Sequence, residues 1–318
     1  MNGILNKIIT PQGGIIEMEY EGEYGTVDMP QFKYLLKKVT VHDGNGITVP
    51  ERSVKENGII LDDVHQYVTE YDYEGPKYDR DRKEFFGFAD MTTKNQDGTY
   101  KEDKYHVDFN MIHLKGAMIS SEVSSGGKDI YTDIDINGGN NNNYTMSETY
   151  YSYADTGNCA LVLEDKSMVY ERSSNSYIEN TTRYSYDEYG NVIRLLETTN
   201  DDSVKPLCAV IDYSEKNLDL HIVGNPTSIR VYDHEVRIDT EETDYLRKRE
   251  GHYHSNGWLE RLSQFYEKDS SLVSEIKYYD NGTIMTVLNP DGTSMFYEYD
   301  DKLGQFPKAI SFKGKNKQ

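Results

Sequence analysis

The sequence predicts an all-β fold: antiparallel hairpins built from repeated Tyr-Asp phrases and joined into a curved, extended sheet, a partial shell. Three observations predict it. Tyrosines alternate with polar residues, as in Tyr184-Ser-Tyr186-Asp187 and Tyr297-Glu-Tyr299-Asp300, so every second side chain falls on one sheet face. Asn-Gly and Asp-Gly steps recur, at Asp43, Asn45, Asn57, Asp97, Asn256, Asn281 and Asp291 among others, and supply the φ > 0 positions of tight hairpin turns. No segment carries a sustained 3.6-residue apolar period with helix caps.

Taken in order, the first strand pair is expected at 4–10 and 15–20, joined at Pro11-Gln12-Gly13-Gly14. Strands follow around 34–42 and 64–73. The run Tyr78-Asp-Arg80-Asp-Arg82-Lys-Glu84 reads as a charged turn leading into the aromatic strand Phe85-Phe86-Gly87-Phe88. Alternation puts Phe86 and Phe88 on one face and Phe85 on the other. Two more strands are expected at 105–109 and 115–122. The asparagine run from Asn137 to Asn143 is a loop by composition. It divides the chain into irregular strands at 1–136, tyrosine-rich hairpins at 144–300 and a polar tail at 301–318. Strands of the second region are expected at 144–153, 160–164, 167–172, 177–186, 192–198, 210–213, 227–232, 235–240, 248–253, 259–266, 273–279, 283–288 and 293–299. The repeat phrases place Tyr184, Tyr186, Tyr278, Tyr279, Tyr297 and Tyr299 across the hairpins. Asp187, Gly190, Asn191, Asp280, Gly282 and Gly292 fall at their turns.

The 318 residues carry 34 Lys and Arg against 55 Asp and Glu, a formal net charge of -21. That balance argues against nucleic acid as a partner, because phosphate binding needs a basic stripe. Arg247-Lys248-Arg249 is flanked by acids and reads as a solvated strand edge. No run approaches the ~20 apolar residues of a membrane span, and residues 1–7 lack the long apolar stretch of a signal peptide. Tyrosines number 28 against a single tryptophan, Trp258, in a chain only 36% hydrophobic. Tyrosine packs its ring and keeps its hydroxyl wet, so thin sheet layers are expected rather than one thick core. Cys159 and Cys208 lack zinc-site spacing and are expected as two buried thiols, with a disulfide as the alternative in an exported chain.

Candidate chemistry is sparse. Asp133-Ile-Asp135-Ile-Asn137-Gly138 opens like a calcium loop, with three oxygen ligands ahead of a glycine turn. The twelfth position, where a bidentate acid belongs, is Tyr144, and a plain strand and turn is the simpler reading. Ca²⁺ is the one cofactor with any basis here; otherwise none is expected. His252-Tyr-His254 would set two imidazoles on one strand face without an identifiable third ligand, so surface histidines beside a turn are the simpler reading. Arg82 and Glu84 read as solvated ion pairs. No phosphate-binding glycine loop, nucleophile elbow or H-E-x-x-H motif occurs. The expectation is a protein that is not an enzyme.

The Tyr-Asp phrases resemble the YD repeats of the Rhs and teneurin superfamily. More specific likeness lies in the N-terminal half. Residues 2–20 are similar to the strand pair that opens the central region of Tc-toxin B components and SpvB-like proteins. Tyr71-Asp-Tyr-Glu-Gly75 with residues 78–88 resembles that family's tyrosine strand, charged turn and Phe-x-Gly-Phe strand. Lys115-Gly-Ala-Met-Ile-Ser-Ser-Glu-Val123 resembles the Lys-Gly strand that follows. The resemblance implies hairpins that spiral into a hollow shell enclosing a toxin or effector polypeptide. It also implies a secreted or cell-surface location, and as partners a polypeptide cargo or neighbouring YD-repeat segments. The adhesion, propeller and self-cleaving cap segments of a complete B component have no counterpart here, so a fragment or a part of a larger assembly is expected. The alternative reading is a cell-surface carbohydrate-binding or adhesion module that uses exposed tyrosines as sugar platforms. A hydrolase grafted on a β scaffold is a third.

Overall fold

The computed structural model describes residues 3–23, 25–42, 55–56, 59–60, 66–125, 144–156, 159–171, 176–238, 244–267 and 270–314. Among them the chain is all-β and antiparallel. Its one helical element is a 3₁₀ turn at Ile112–Leu114, and no helix of the described residues is long and apolar enough to cross a membrane.

The chain divides into two compact units, Met1–Glu179 and Asn180–Gln318. The first holds β1 (Lys7–Ile9), β2 (Ile15–Glu23), β3 (Lys33–His42), β4 (Lys55–Glu56), β5 (Ile59–Ile60), β6 (Gln66–Asp79), β7 (Glu84–Asn95), β8 (Tyr100–Tyr105), β9 (Met118–Ser125), β10 (Tyr144–Asp155) and β11 (Ala160–Tyr170). Each strand pairs with the next, β3 passing directly to β6, while β4 and β5 pair only with each other. The strand β12 (Tyr177–Tyr186) crosses the division. The second unit continues with β13 (Val192–Thr199), β14 (Leu207–Tyr213), β15 (Pro226–Tyr232), β16 (Arg247–Tyr253), β17 (Leu259–Glu267), β18 (Ser270–Tyr278), β19 (Ile284–Leu288), β20 (Ser294–Tyr299) and β21 (Pro307–Lys313). From β12 to β21 it is an unbroken meander.

Burial is thin, as the composition requires. In the second unit Leu196, Cys208, Val210, Tyr232 and Val236 form one core cluster, with Tyr245 packed against it. In the first unit Phe86 and Leu114 are buried, and the Phe86 ring meets Phe109 edge-on at 5.1 Å.

Several sequence expectations are corrected. Ala160–Tyr170 is one strand, not two, because Asp165 and Lys166 continue the ladder opposite Tyr151 and Tyr150. Residues 233–238 are irregular rather than a strand. They fold over the sheet so that Val236 reaches the core, and its carbonyl accepts a bond from Arg194 Nε at 2.7 Å. The strand after Lys115 starts only at Met118, because residues 112–114 coil first. Arg247-Lys248-Arg249 lies on an interior strand, paired on both sides. There Lys248 sits 4.8 Å from the Phe265 ring. Phe85 and Phe88 share a face, 5.4 Å apart, while Phe86 points to the core. The cause is a bulge: Tyr78 pairs with Phe85 and Lys77 with Gly87, so Phe86 is the extra residue and alternation breaks there. Cys208 is buried but Cys159 is exposed in the loop after β10, and both thiols are free.

Candidate functional site

One construction recurs in nine hairpins of the described residues. Tyr20, Tyr78, Tyr105 and Tyr153 in the first unit pair with Leu36, Phe85, Met118 and Val162. Tyr186, Tyr213, Tyr253, Tyr278 and Tyr299 in the second pair with Val192, Pro226, Leu259, Ile284 and Pro307. In all nine hairpins the register shifts at that tyrosine and leaves the next residue of the return strand unpaired: Lys37, Phe86, Ile119, Leu163, Ile193, Thr227, Glu260, Met285 or Lys308. A bulge of this kind adds local twist and re-aims the side chains beside it.

The tyrosine hydroxyl then ties one hairpin to the one before. Tyr153 donates to the Met118 carbonyl at 2.7 Å, Tyr213 to Val192 at 2.9 Å and Tyr278 to Leu259 at 2.8 Å. Each acceptor is the return-strand residue paired with the preceding hairpin's tyrosine. Tyr73 does the same from within β6, donating to Leu36 at 3.1 Å. Burial raises the pKa of Tyr73, Tyr105, Tyr153, Tyr186, Tyr213, Tyr253 and Tyr278 above the ordinary phenol value.

One kind of turn recurs, both beyond the hairpin tyrosines and at the opposite edge. Five-residue turns closed by the same two backbone bonds occur at Asn95–Thr99, Asp187–Asn191, His254–Trp258, Tyr279–Thr283 and Asn289–Thr293. The first residue's N–H reaches the fifth residue's carbonyl, and the fourth, a glycine near φ +83, donates back to the first. That is a turn followed by a left-handed residue, which glycine alone adopts without strain. Where aspartate follows the tyrosine it gathers the turn's donors. Asp187 accepts from the Tyr189 and Asn191 amides, from Asn191 Nδ2 and from Lys216 Nζ at 2.8 Å. Burial pushes that carboxyl up, but these donors outweigh it and hold it at about 2. Asp300 accepts four backbone N–H groups, those of Lys302, Leu303, Gln305 and Phe306, and is likewise held at about 2. Asp79 accepts the Asp81 and Arg82 amides and the Arg82 guanidinium.

In the second unit the turns stack on one another. Asn191 Nδ2 reaches the Val223 carbonyl in the next loop, Asn225 Nδ2 reaches Gly257, and Asn281 Nδ2 reaches Gly304. The glycines make this approach close. A Cβ on Gly282 would lie 2.9 Å from Trp258 Cζ2, and one on Gly257 3.1 Å from Ile222 Cδ1. Trp258 is sandwiched further by His254 at 5.5 Å and Tyr278 at 5.4 Å.

Of the residues singled out in the sequence, Tyr186, Asp187, Gly190, Asn191, Tyr278, Gly282 and Tyr299 lie in this tyrosine-and-turn row. Tyr184 stacks on Tyr186 at 6.4 Å. Tyr279 opens its turn and donates its hydroxyl to the Tyr297 carbonyl. Asp280 does not hold that turn; Asn281 does, accepting from the Thr283 amide and hydroxyl. Gly292 belongs to a turn at the opposite edge. Asp133, Asp135 and Asn137 lie outside the described residues. His252 is exposed and 3.5 Å from Glu260, whereas His254 stacks on Trp258, so the two imidazoles serve different neighbours. Arg82 pairs with Asp79 and Glu84 with Lys115. Among the described residues no cluster of three His, Cys, Asp or Glu could hold a metal. Sequence reading passed over Tyr105, Tyr153, Tyr213 and Tyr253, although each closes a polar-aromatic strand just before a turn.

Residues 1–115 match the sequence family described as the insecticide toxin TcdB middle/N-terminal region. No curated protein matches the chain. Among solved structures, the crystal structure of TcdB2-TccC3-TEV is similar with a TM-score of 0.59 at 10% identity, over 96% of this chain and 23% of that one. A Photorhabdus luminescens Tc holotoxin pore carrying a TccC3 mutation is similar with a TM-score of 0.55 at 11% identity, over 97% of this chain and 24% of that one. At such identity the likeness concerns the fold. The chain spans about a quarter of the length of those chains. The matched N-terminal residues and the shared all-β fold put this chain close to the middle region of the Tc-toxin B component.

Proposed function

We propose that the chain is a non-enzymatic β-scaffold, a section of a YD-repeat-type shell that encloses a toxin or effector polypeptide. The observation that carries this reading is the set of bulged hairpins, each bulged at a tyrosine and several bonded hydroxyl-to-carbonyl to the hairpin before. Those bonds use tyrosine to extend a wall rather than to hold a substrate. A net charge of -21 would discourage an acidic cargo from collapsing on the wall. A role in an exported toxin assembly, with neighbouring repeat segments as partners, follows from the same reading.

The test is protease protection. The protein is purified together with the polypeptides encoded beside it and challenged with trypsin. A cargo polypeptide that survives until the wall is denatured is expected; cargo digested as fast as an unfolded control would overturn the reading. A glycan array is expected to give no selective binding, which separates the scaffold from a sugar-binding module.

A further inference from the structure

The strand β21 is, with the three-residue β1, one of two described strands whose residues are all exposed. All seven of its residues are exposed, and among the described residues it pairs only with β20. Ile310 and Phe312 stand opposite Tyr297 and Met295, so they lie on the tyrosine face, yet they are 50% and 75% exposed. Backbone N–H and C=O groups along such an edge are a template for another strand.

The register says what kind of strand fits. Four times, a tyrosine on the neighbouring strand donates its hydroxyl to the return-strand residue that pairs with the preceding hairpin's tyrosine: Leu36, Met118, Val192 or Leu259. In β21 that residue is Pro307, the partner of Tyr299. No described hydroxyl reaches its carbonyl. Residues 307–318 carry Lys308, Lys313, Lys315 and Lys317 and no acid, within a chain of net charge -21.

We propose that β21 is a docking strand for an acidic, tyrosine-bearing β-hairpin of another polypeptide segment. That hairpin pairs antiparallel along Lys308–Lys313, covers Ile310 and Phe312, and donates its tyrosine hydroxyl to the Pro307 carbonyl. The proposal rests on the scaffold reading, since it names the partner that would continue the wall.

The test uses the full chain and a labelled peptide copying Ser270–Leu288, the protein's own hairpin with Tyr278 and a net negative charge. Saturable binding by fluorescence anisotropy is expected, with slowed amide exchange in residues 308–313. A peptide with Tyr278→Phe is expected to bind roughly 2- to 10-fold more weakly, the worth of one hydrogen bond. The double variant Ile310→Lys, Phe312→Lys should lose binding with its thermal midpoint unchanged, because both side chains are exposed. Equal binding by that variant, protection of a different segment, or self-association through β21 in place of peptide binding would overturn the proposal. Failure of cargo protection with peptide docking intact sinks only the shell reading; intact protection with no docking sinks only this one.

Discussion

Two turns share a backbone and differ in employment. Asn95–Thr99, in the first unit, and Tyr279–Thr283, in the second, close with the same pair of backbone bonds, and their glycines have φ of +82 and +84. In each, the threonine amide and hydroxyl bond the preceding Asx side chain. Yet a Cβ on Gly98 would meet nothing within 4 Å, whereas one on Gly282 would press on the Trp258 ring. The first turn lies at the edge away from the hairpin tyrosines; the second lies among them. The local code x-x-Asx-Gly-Thr therefore specifies the turn, and its surroundings decide whether the turn is also a packing element.

The sharpest way to break this comparison is to add a side chain to both glycines. Gly282→Val combines left-handed strain of about 1–2 kcal/mol with overpacking of about 1–3 kcal/mol. Gly98→Val meets only the strain. Urea unfolding should rank the two clearly, and equal losses would mean that the stacked turns contribute nothing beyond their own geometry.

Asp187 sharpens it next. Replacing it by alanine strands a lysine and several amide donors, an expected loss of roughly 2–3 kcal/mol. Asp97 serves only Thr99, so its alanine variant should lose less. The pH dependence follows from the lowered carboxyl. Asp187 titrates at about 2 when folded and near ~3.9 when unfolded. Its contribution is complete above about pH 4 and is lost as pH falls through its folded value. Thermal midpoints should drop between those values, less steeply for Asp187→Asn.

Much of this was legible. Strand alternation and glycine turns gave the hairpins around Asp187 and Gly282 almost to the residue, because both signals are local. The bulges were not legible: no single residue type marks Phe86, Ile193 or Glu260 as unpaired, since a bulge is a property of two strands in register. Val236 was misread for a related reason. Its segment alternates like a strand but is held across the sheet by Arg194 and by the core cluster. Asp280 falls in its turn, but the doubled tyrosine at 278–279 moves the turn by one residue, so Asn281 and not Asp280 accepts the threonine donors. The tyrosine-to-carbonyl bonds depend on which hairpins are neighbours, and spacing along the chain does not state that.

A smaller effect tests those bonds directly. Tyr278→Phe and Tyr213→Phe each remove one hydroxyl from a part-buried carbonyl and should lose about 1 kcal/mol. Both tyrosines have raised folded pKa values, caused first by burial. Their stabilisation is full below pH ~10 and falls as pH rises through the higher folded value. Alkaline unfolding should therefore begin above pH ~10, earliest in probes near those hairpins.

The two cysteines give the mildest probe, because labelling them perturbs no contact in advance. Cys159 is exposed in a loop of the first unit, while Cys208 is fully buried, its thiol 3.6 Å from the Val236 carbonyl. An aromatic disulfide reagent should modify Cys159 within the mixing time and Cys208 only when the second unit opens. If Val236 is what closes the core, Val236→Ala should speed the slow phase and leave the fast one alone. A slow phase unchanged by that variant would show that the irregular segment at 233–238 merely lies on the sheet, and that the strands alone seal Cys208.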